Sequence, residues 1–285
     1  DHRDLHTAYR RQRQMCIRDR DKKQAVFATM LLGVLPLINL LNPPMVGLWI
    51  LRKGTRDAAK VIAWAVLPLL GWAYAGDIAP LIMLVGICGL ASILRTTNSW
   101  EFTLCAAILV GLVVEIYFRL NPVMLDALFQ QVQILMQNNT EVLGREEIRG
   151  VVISLFGSVY MFLAITLTML ARWMQASLFN PGGFQKEFHQ LRIGHKVTLI
   201  LISFMVLTSF GIIIPESWLV YFTLPLIFSG IALVHAVCAQ RQYPVLVLVA
   251  FYVLFLLPVT LQLVVLLACL LYTSDAEDDM QCVDL

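Results

Sequence analysis

Between Arg149 and Arg172 the chain reads GVVISLFGSVYMFLAITLTMLA, without one ionised side chain. Residues 197–215 and 217–234 likewise contain no Asp, Glu, Lys or Arg. About 18–20 apolar residues in a helix are enough to cross a hydrocarbon core of roughly 30 Å. A soluble domain of this size would have to hide several such runs at once. With charged residues at 14% and a mean hydropathy of +0.76, the chain lacks the polar surface to do so. A membrane β-barrel would show short alternating segments of about ten residues instead, and the pattern here is continuous. The sequence therefore predicts an all-α fold, a polytopic helical membrane bundle.

Candidate helices fall at 25–41, 57–75, 78–94, 101–118, 148–173, 196–214, 217–239 and 244–268, about eight spanning helices in all. Asn42-Pro43-Pro44 should break the first apolar region, because proline brings no donor and biases its predecessor away from helix. The apolar remainder, MVGLWIL, is too short to span, so 42–53 reads as a broken or re-entrant segment or the second arm of a hairpin. Backbone of that kind at membrane depth must be buried in protein or line a cavity. Lys22, Lys23, Arg52, Lys53, Arg56, Lys60, Arg95, Arg172, Lys186, Arg192, Lys196 and Arg241 fall on one face if residues 25–51 return to their starting side. Asp77, Glu216 and the acidic 119–149 stretch fall on the other. The bias of Lys and Arg makes the first face cytoplasmic.

Both ends read as something other than protein sequence. Residues 1–20 hold six arginines and no lysine, and MCIRDR is one frame of ATGTGTATAAGAGACAG, a transposase mosaic end. Arg10-Arg11-Gln12-Arg13-Gln14 and Asp1–His6 continue that adaptor upstream. CLLYTSDA, Cys269–Ala276, is its reverse complement, and Asp278-Asp279 and Val283–Leu285 extend it, although Glu277 departs from the expected alanine. The expected organisation is thus a non-native adaptor-like tail at 1–20, a single integral membrane domain at 21–268, and a second adaptor-like tail at 269–285.

Two stretches do not read as spans. In 122–139, PVMLDALFQQVQILMQNN, apolar residues line one helical face opposite Asp126, Gln130, Gln133 and Gln137, as in an interfacial amphipathic helix on the outer side. The other, ARWMQASLFNPGGFQKEFHQLRIGHK, carries a turn signal at Asn180-Pro181-Gly182-Gly183. Phe184, Phe188 and Leu191 then recur at helical spacing, with Lys186, Glu187 and His189 facing elsewhere, as in a short interfacial helix. Its cations, Lys186 and Arg192 among them, suit anionic headgroups. This elbow is the candidate functional surface.

Motifs for chemistry are missing. There is no GxxxxGK[ST], no GxGxxG after a strand and no HExxH. Glu187 and His189 stand two apart, on different sides of a helix, so a metal site with His195 is disfavoured against a polar loop. Cys88, Cys105 and Cys238 lie in apolar runs without CxxC spacing and read as packing residues. Glu115 stands four residues before Arg119, the spacing of a local ion pair. The sequence implies no cofactor and no nucleic-acid partner. Ala25, Thr29 and Gly33 form a small-residue face on the first helix, and Ala107 and Gly111 form another, each fit for close helix packing or a membrane-protein partner.

Through ARWMQASLFNPGGFQKEFHQLR, LRKGTRDAAKVIAWAVLPLL and GIALVHAVCAQRQ, the 21–268 region resembles the YybS-like family of bacterial inner-membrane proteins. That family supplies no reaction. It also resembles, more distantly, the substrate-binding components of energy-coupling-factor transporters, which use small-residue faces on their first helix; Thr29 stands here where those proteins favour alanine. The resemblance implies a substrate-capture or transport component that takes a small molecule. A membrane scaffold or assembly factor acting through the elbow is the alternative, and a membrane-embedded enzyme ranks third.

Overall fold

The computed structural model describes residues 23–35, 38–121, 145–211, 214–255 and 264. The adaptor-like tails at 1–20 and 269–285 and the amphipathic helix expected at 122–139 lie outside the described residues. Among the described residues ten helices succeed one another: α1 (Lys23–Val34), α2 (Asn42–Lys53), α3 (Thr55–Tyr74), α4 (Ala79–Thr97), α5 (Trp100–Leu120), α6 (Arg145–Phe179), α7 (Gly183–His189), α8 (His195–Ser209), α9 (Leu219–Gln240) and α10 (Val245–Phe255). Short 3₁₀ turns at Ile38–Leu41 and Glu216–Trp218 lead into α2 and α9. No strand occurs among the described residues.

Among the described residues four helical stretches are long and apolar enough to cross a membrane: Ala79–Thr97, Trp100–Leu120, Arg149–Phe179 and Glu216–Gln240. The other expected crossings fall short for two reasons. α1, α8 and α10 are brief as described, and α3 begins with Arg56, Asp57 and Lys60. The first break also moves. The helix expected to run to residue 41 stops at Val34, and Asn42-Pro43-Pro44 open α2 instead of interrupting it. Prolines are tolerated there because the first N–H groups of a helix have no intrahelical acceptor to lose.

By contact the described residues group into two units, α1–α4 with residues 166–175 of α6, and α5, the remainder of α6 and α7–α10. In the first unit α2 packs on α3. Ala58, Val61, Ala65 and Leu69, spaced three or four apart, form the buried stripe of α3. Gly47 lets α2 come close to its neighbours: a Cβ there would stand 3.2 Å from Ala171 Cβ and 3.3 Å from Ile87 Cγ2. In the second unit α9 packs on α5, α7 and α8, with Pro225 inside it.

The outward faces are apolar. Along α5, Phe102, Leu109, Val113, Ile116 and Leu120 are exposed, while Leu104, Ala107, Val114 and Phe118 are buried. Water would penalise such a stripe; lipid accepts it.

Gly47→Leu should therefore lower stability by about 1–3 kcal/mol through overpacking, whereas Gly89→Leu, with nothing within 4 Å of its Cβ position, should be tolerated. Apparent melting temperatures in detergent distinguish them, and equal values for the two variants would contradict this packing.

Candidate functional site

Three places hold polar groups that the apolar bulk of the chain does not explain. The first is the break between α1 and α2. Asn42, the first residue of α2, is fully buried, and its Nδ2 donates to the Ala65 carbonyl, 3.2 Å away, in the middle of α3. Its Oδ1 is buried with no hydrogen-bond partner. Gly33, near the end of α1, lies against the same place: a Cβ there would sit 2.7 Å from Asn42 Nδ2 and 3.1 Å from Pro68 Cβ. The Trp72 indole donates to the Gly33 carbonyl at 3.0 Å. Pro68, inside α3, carries no N–H for the carbonyl of Trp64. Ala25, Thr29 and Gly33, the small face expected to meet a partner, are all buried. At Gly33 the residues covering that face are Pro68, Trp72 and Asn42 of the same chain, so it is occupied internally.

The second place is a carboxylate clasp in the other unit. Arg119 does pair with Glu115, through Nε at 3.0 Å and Nη2 at 2.6 Å. The spacing gives no hint of the rest. Glu115 is 1% exposed, and its Oε1 also accepts the Trp218 indole N–H at 3.0 Å while Oε2 accepts the Tyr221 hydroxyl at 2.9 Å. That hydroxyl lies 3.2 Å from the Ser154 carbonyl, and Ser154 Oγ meets Ser217 Oγ at 2.9 Å. The Tyr221 ring fills a slot that two glycines leave open. A Cβ on Gly157 would collide with its hydroxyl, and one on Gly111 would stand 2.7 Å from its Cε1. Ala107 and Gly111 thus use their small face within the chain. Trp218, Tyr221, Ser154 and Gly157 were missed in the sequence, where only an aromatic one turn past Pro215-Glu216 hinted at them.

The third place is the elbow. Asn180 and Pro181 turn the chain into α7, with the Gly183 N–H donating to the Asn180 carbonyl at 2.9 Å. Gly182 has φ +82°, where a side chain is strained, whereas Gly183 has ordinary helical angles and makes room for the Asn180 amide. The helix ends at His189, two residues before the expected limit, and Leu191 and Ile193 are buried beyond it. Its aromatic side is held by its own unit. Phe184 meets Trp100 edge-on at 6.4 Å and stacks on Phe188 at 5.9 Å, and Phe188 meets His235 at 5.5 Å. His235 Nε2 in turn lies 2.8 Å from the Tyr252 hydroxyl. Lys186 and Arg192 are exposed, Glu187 and His189 half-buried. The Trp100 indole N–H is buried there without a partner. Glu101 brings its carboxylate beside Gly194, at the N-terminus of α8, where negative charge suits the helix dipole.

Among the described residues no three His, Cys, Asp or Glu side chains gather as metal ligands would. Family models, curated proteins and solved structures offer no match to this chain.

Removing one member of the clasp should cost more than neutralising it. Arg119→Gln takes the cation from a buried carboxylate, and because Arg119 itself is half exposed the cost should be about 1–3 kcal/mol, as should that of Tyr221→Phe. Adding Glu115→Gln to Arg119→Gln should restore part of the loss. Chemical or thermal unfolding of the purified protein measures all three, and a double variant weaker than Arg119→Gln alone would contradict the electrostatic account.

Proposed function

We propose that the chain is a multi-pass protein of a bacterial inner membrane that captures or carries a small molecule, and that the α1–α2 break is where the molecule binds. The observation that supports this is the buried Oδ1 of Asn42 beside a helix break, at the level of the middle of α3. Helix breaks near the bilayer midplane are where membrane carriers expose backbone and side-chain polar groups to their cargo. On this reading α3, with its charged first turn at the interface, crosses together with the four long apolar helices and the 196–214 and 244–268 stretches that contain α8 and α10; α1 and α2 form a hairpin that returns to the side it entered. A buried amide oxygen as the open acceptor suits a neutral ligand offering N–H or O–H donors. The YybS-like resemblance fits this reading, as does the distant one to energy-coupling-factor substrate-binding components.

The scaffold reading has its own support. The elbow holds Lys186 exposed on a helix whose aromatic face is already tied down, and Arg192 exposed just beyond that helix's end, a surface suited to anionic lipid or to a membrane-protein partner. In both readings the basic helix ends face the cytoplasm.

Purification in mild detergent and native mass spectrometry together separate the two. Capture predicts a non-lipid small molecule on the unaltered protein and its loss from Asn42→Leu; a partner protein that leaves on Lys186→Glu/Arg192→Glu, with no small molecule in either sample, favours the scaffold. Orientation is checked with single cysteines in intact cells. An impermeant maleimide should reach Glu216→Cys but reach Lys186→Cys only after permeabilisation, and the opposite pattern would invert the topology.

A further inference from the structure

We propose that the α1–α2 break takes a neutral carboxamide-type group, which enters by exchanging for the hydrogen bond between Trp72 and Gly33. The inference rests on the capture reading and adds to it the chemical class of the cargo.

Asn42 is fully buried, its Nδ2 bonded to the Ala65 carbonyl and its Oδ1 without a partner. A buried amide oxygen left open is costly, so it calls for an added donor. Gly33 of α1 lies over the same amide. A Cβ there would fall 2.7 Å from Asn42 Nδ2 and 2.5 Å from Pro68 Cγ, so α1 comes this close only because the residue has no side chain. The Trp72 indole, on α3, donates to the Gly33 carbonyl at 3.0 Å. An open acceptor, a donor and the acceptor that this donor serves therefore gather around one glycine.

A carboxamide answers all three. Its carbonyl accepts from Trp72, and its two N–H groups donate to Asn42 Oδ1 and to the Gly33 carbonyl that Trp72 releases. One hydrogen bond gives way to three, and neither oxygen stays open. A ketone has no donor for either of them. A carboxylate adds a charge where Asn42, Trp72 and Gly33 are all neutral, and burying an unpaired charge is costly. The way in lies along α1. Its buried stripe is small, Ala25, Thr29 and Gly33, while Phe27, Leu31 and Val34 are exposed. Thr29 turns its hydroxyl to the Val26 carbonyl of its own helix, 3.0 Å away. Helices in lipid gain little from apolar contact alone. A face this small therefore parts more readily than α2 parts from α3, where Asn42 also binds Ala65.

The test follows the indole N–H resonances of the full chain, isotope-labelled at its six tryptophans, in phosphatidylcholine nanodiscs. Trp72→Phe identifies the Trp72 signal by its loss. Three compounds of one shape are titrated: isobutyramide, methyl isopropyl ketone and isobutyrate. Isobutyramide should move the Trp72 signal saturably and leave that of the exposed Trp64 in place. It should bind about tenfold or more tightly than the ketone or the carboxylate. Asn42→Leu should cut the preference over the ketone by about fivefold. A Trp72 signal that stays in place, equal affinity for the three compounds, or a preference untouched by Asn42→Leu would each overturn the proposal. If Asn42→Leu does not fold, the first two readings decide by themselves. A co-purified molecule that Asn42→Leu loses but that carries no amide-type group would overturn this assignment and leave the capture reading standing. A protein that purifies empty yet binds isobutyramide at Trp72 would keep this site and count against the capture reading.

Discussion

A charged carboxylate buried among apolar helices has to be answered on every side, and Glu115 is. Its four hydrogen bonds come from Arg119 on its own helix, from Trp218 in the turn before α9 and from Tyr221 inside α9. Tyr221 can reach it only because Gly111 and Gly157 leave room for the ring and hydroxyl. Polar satisfaction and close packing are here one requirement. A methyl group in the wrong place would cost the contact and with it the reason for burying the charge. The positions of α5, α6 and α9 in their unit stem from that requirement more directly than from hydrophobicity, which lipid does not reward between helices.

The same logic separates what could be read from the sequence from what could not. Apolar runs announce helices, and all the described elements are helical. The Glu115–Arg119 pair is visible because four residues make one turn. Trp218 and Tyr221 stand 103 and 106 residues from Glu115, and no local spacing announces them. The proline pair misled for a related reason. Pro43 and Pro44 cannot sit within a helix, but whether they end one or begin one depends on the chain before them, which here leaves helix at Val34. The number of long apolar helices among the described residues is smaller than hydropathy implied because α3 begins with charge and because α1, α8 and α10 are brief as described.

The elbow shows how composition and contact divide the work. Asn180-Pro181-Gly182-Gly183 marks a turn in any context, and a turn it is. The sequence also suggested that the aromatic side of α7 lies on the membrane surface, whereas Phe184 and Phe188 rest on Trp100 and His235 of the same unit. Aromatic periodicity identifies a face that wants burial; it does not say what buries it. Lys186 and Arg192, by contrast, remain exposed.

Pro225 gives the clasp a further property. It lies one turn beyond Tyr221 within α9 and has no N–H to return to the Tyr221 carbonyl. The turn bearing Trp218 and Tyr221 is therefore joined to the rest of its helix by a weakened ladder, and its side chains hold it to Glu115 more than its backbone does. Once the clasp is broken, that end of α9 would open as a hinged turn with the remainder still wound, because its backbone ladder already lacks one bond.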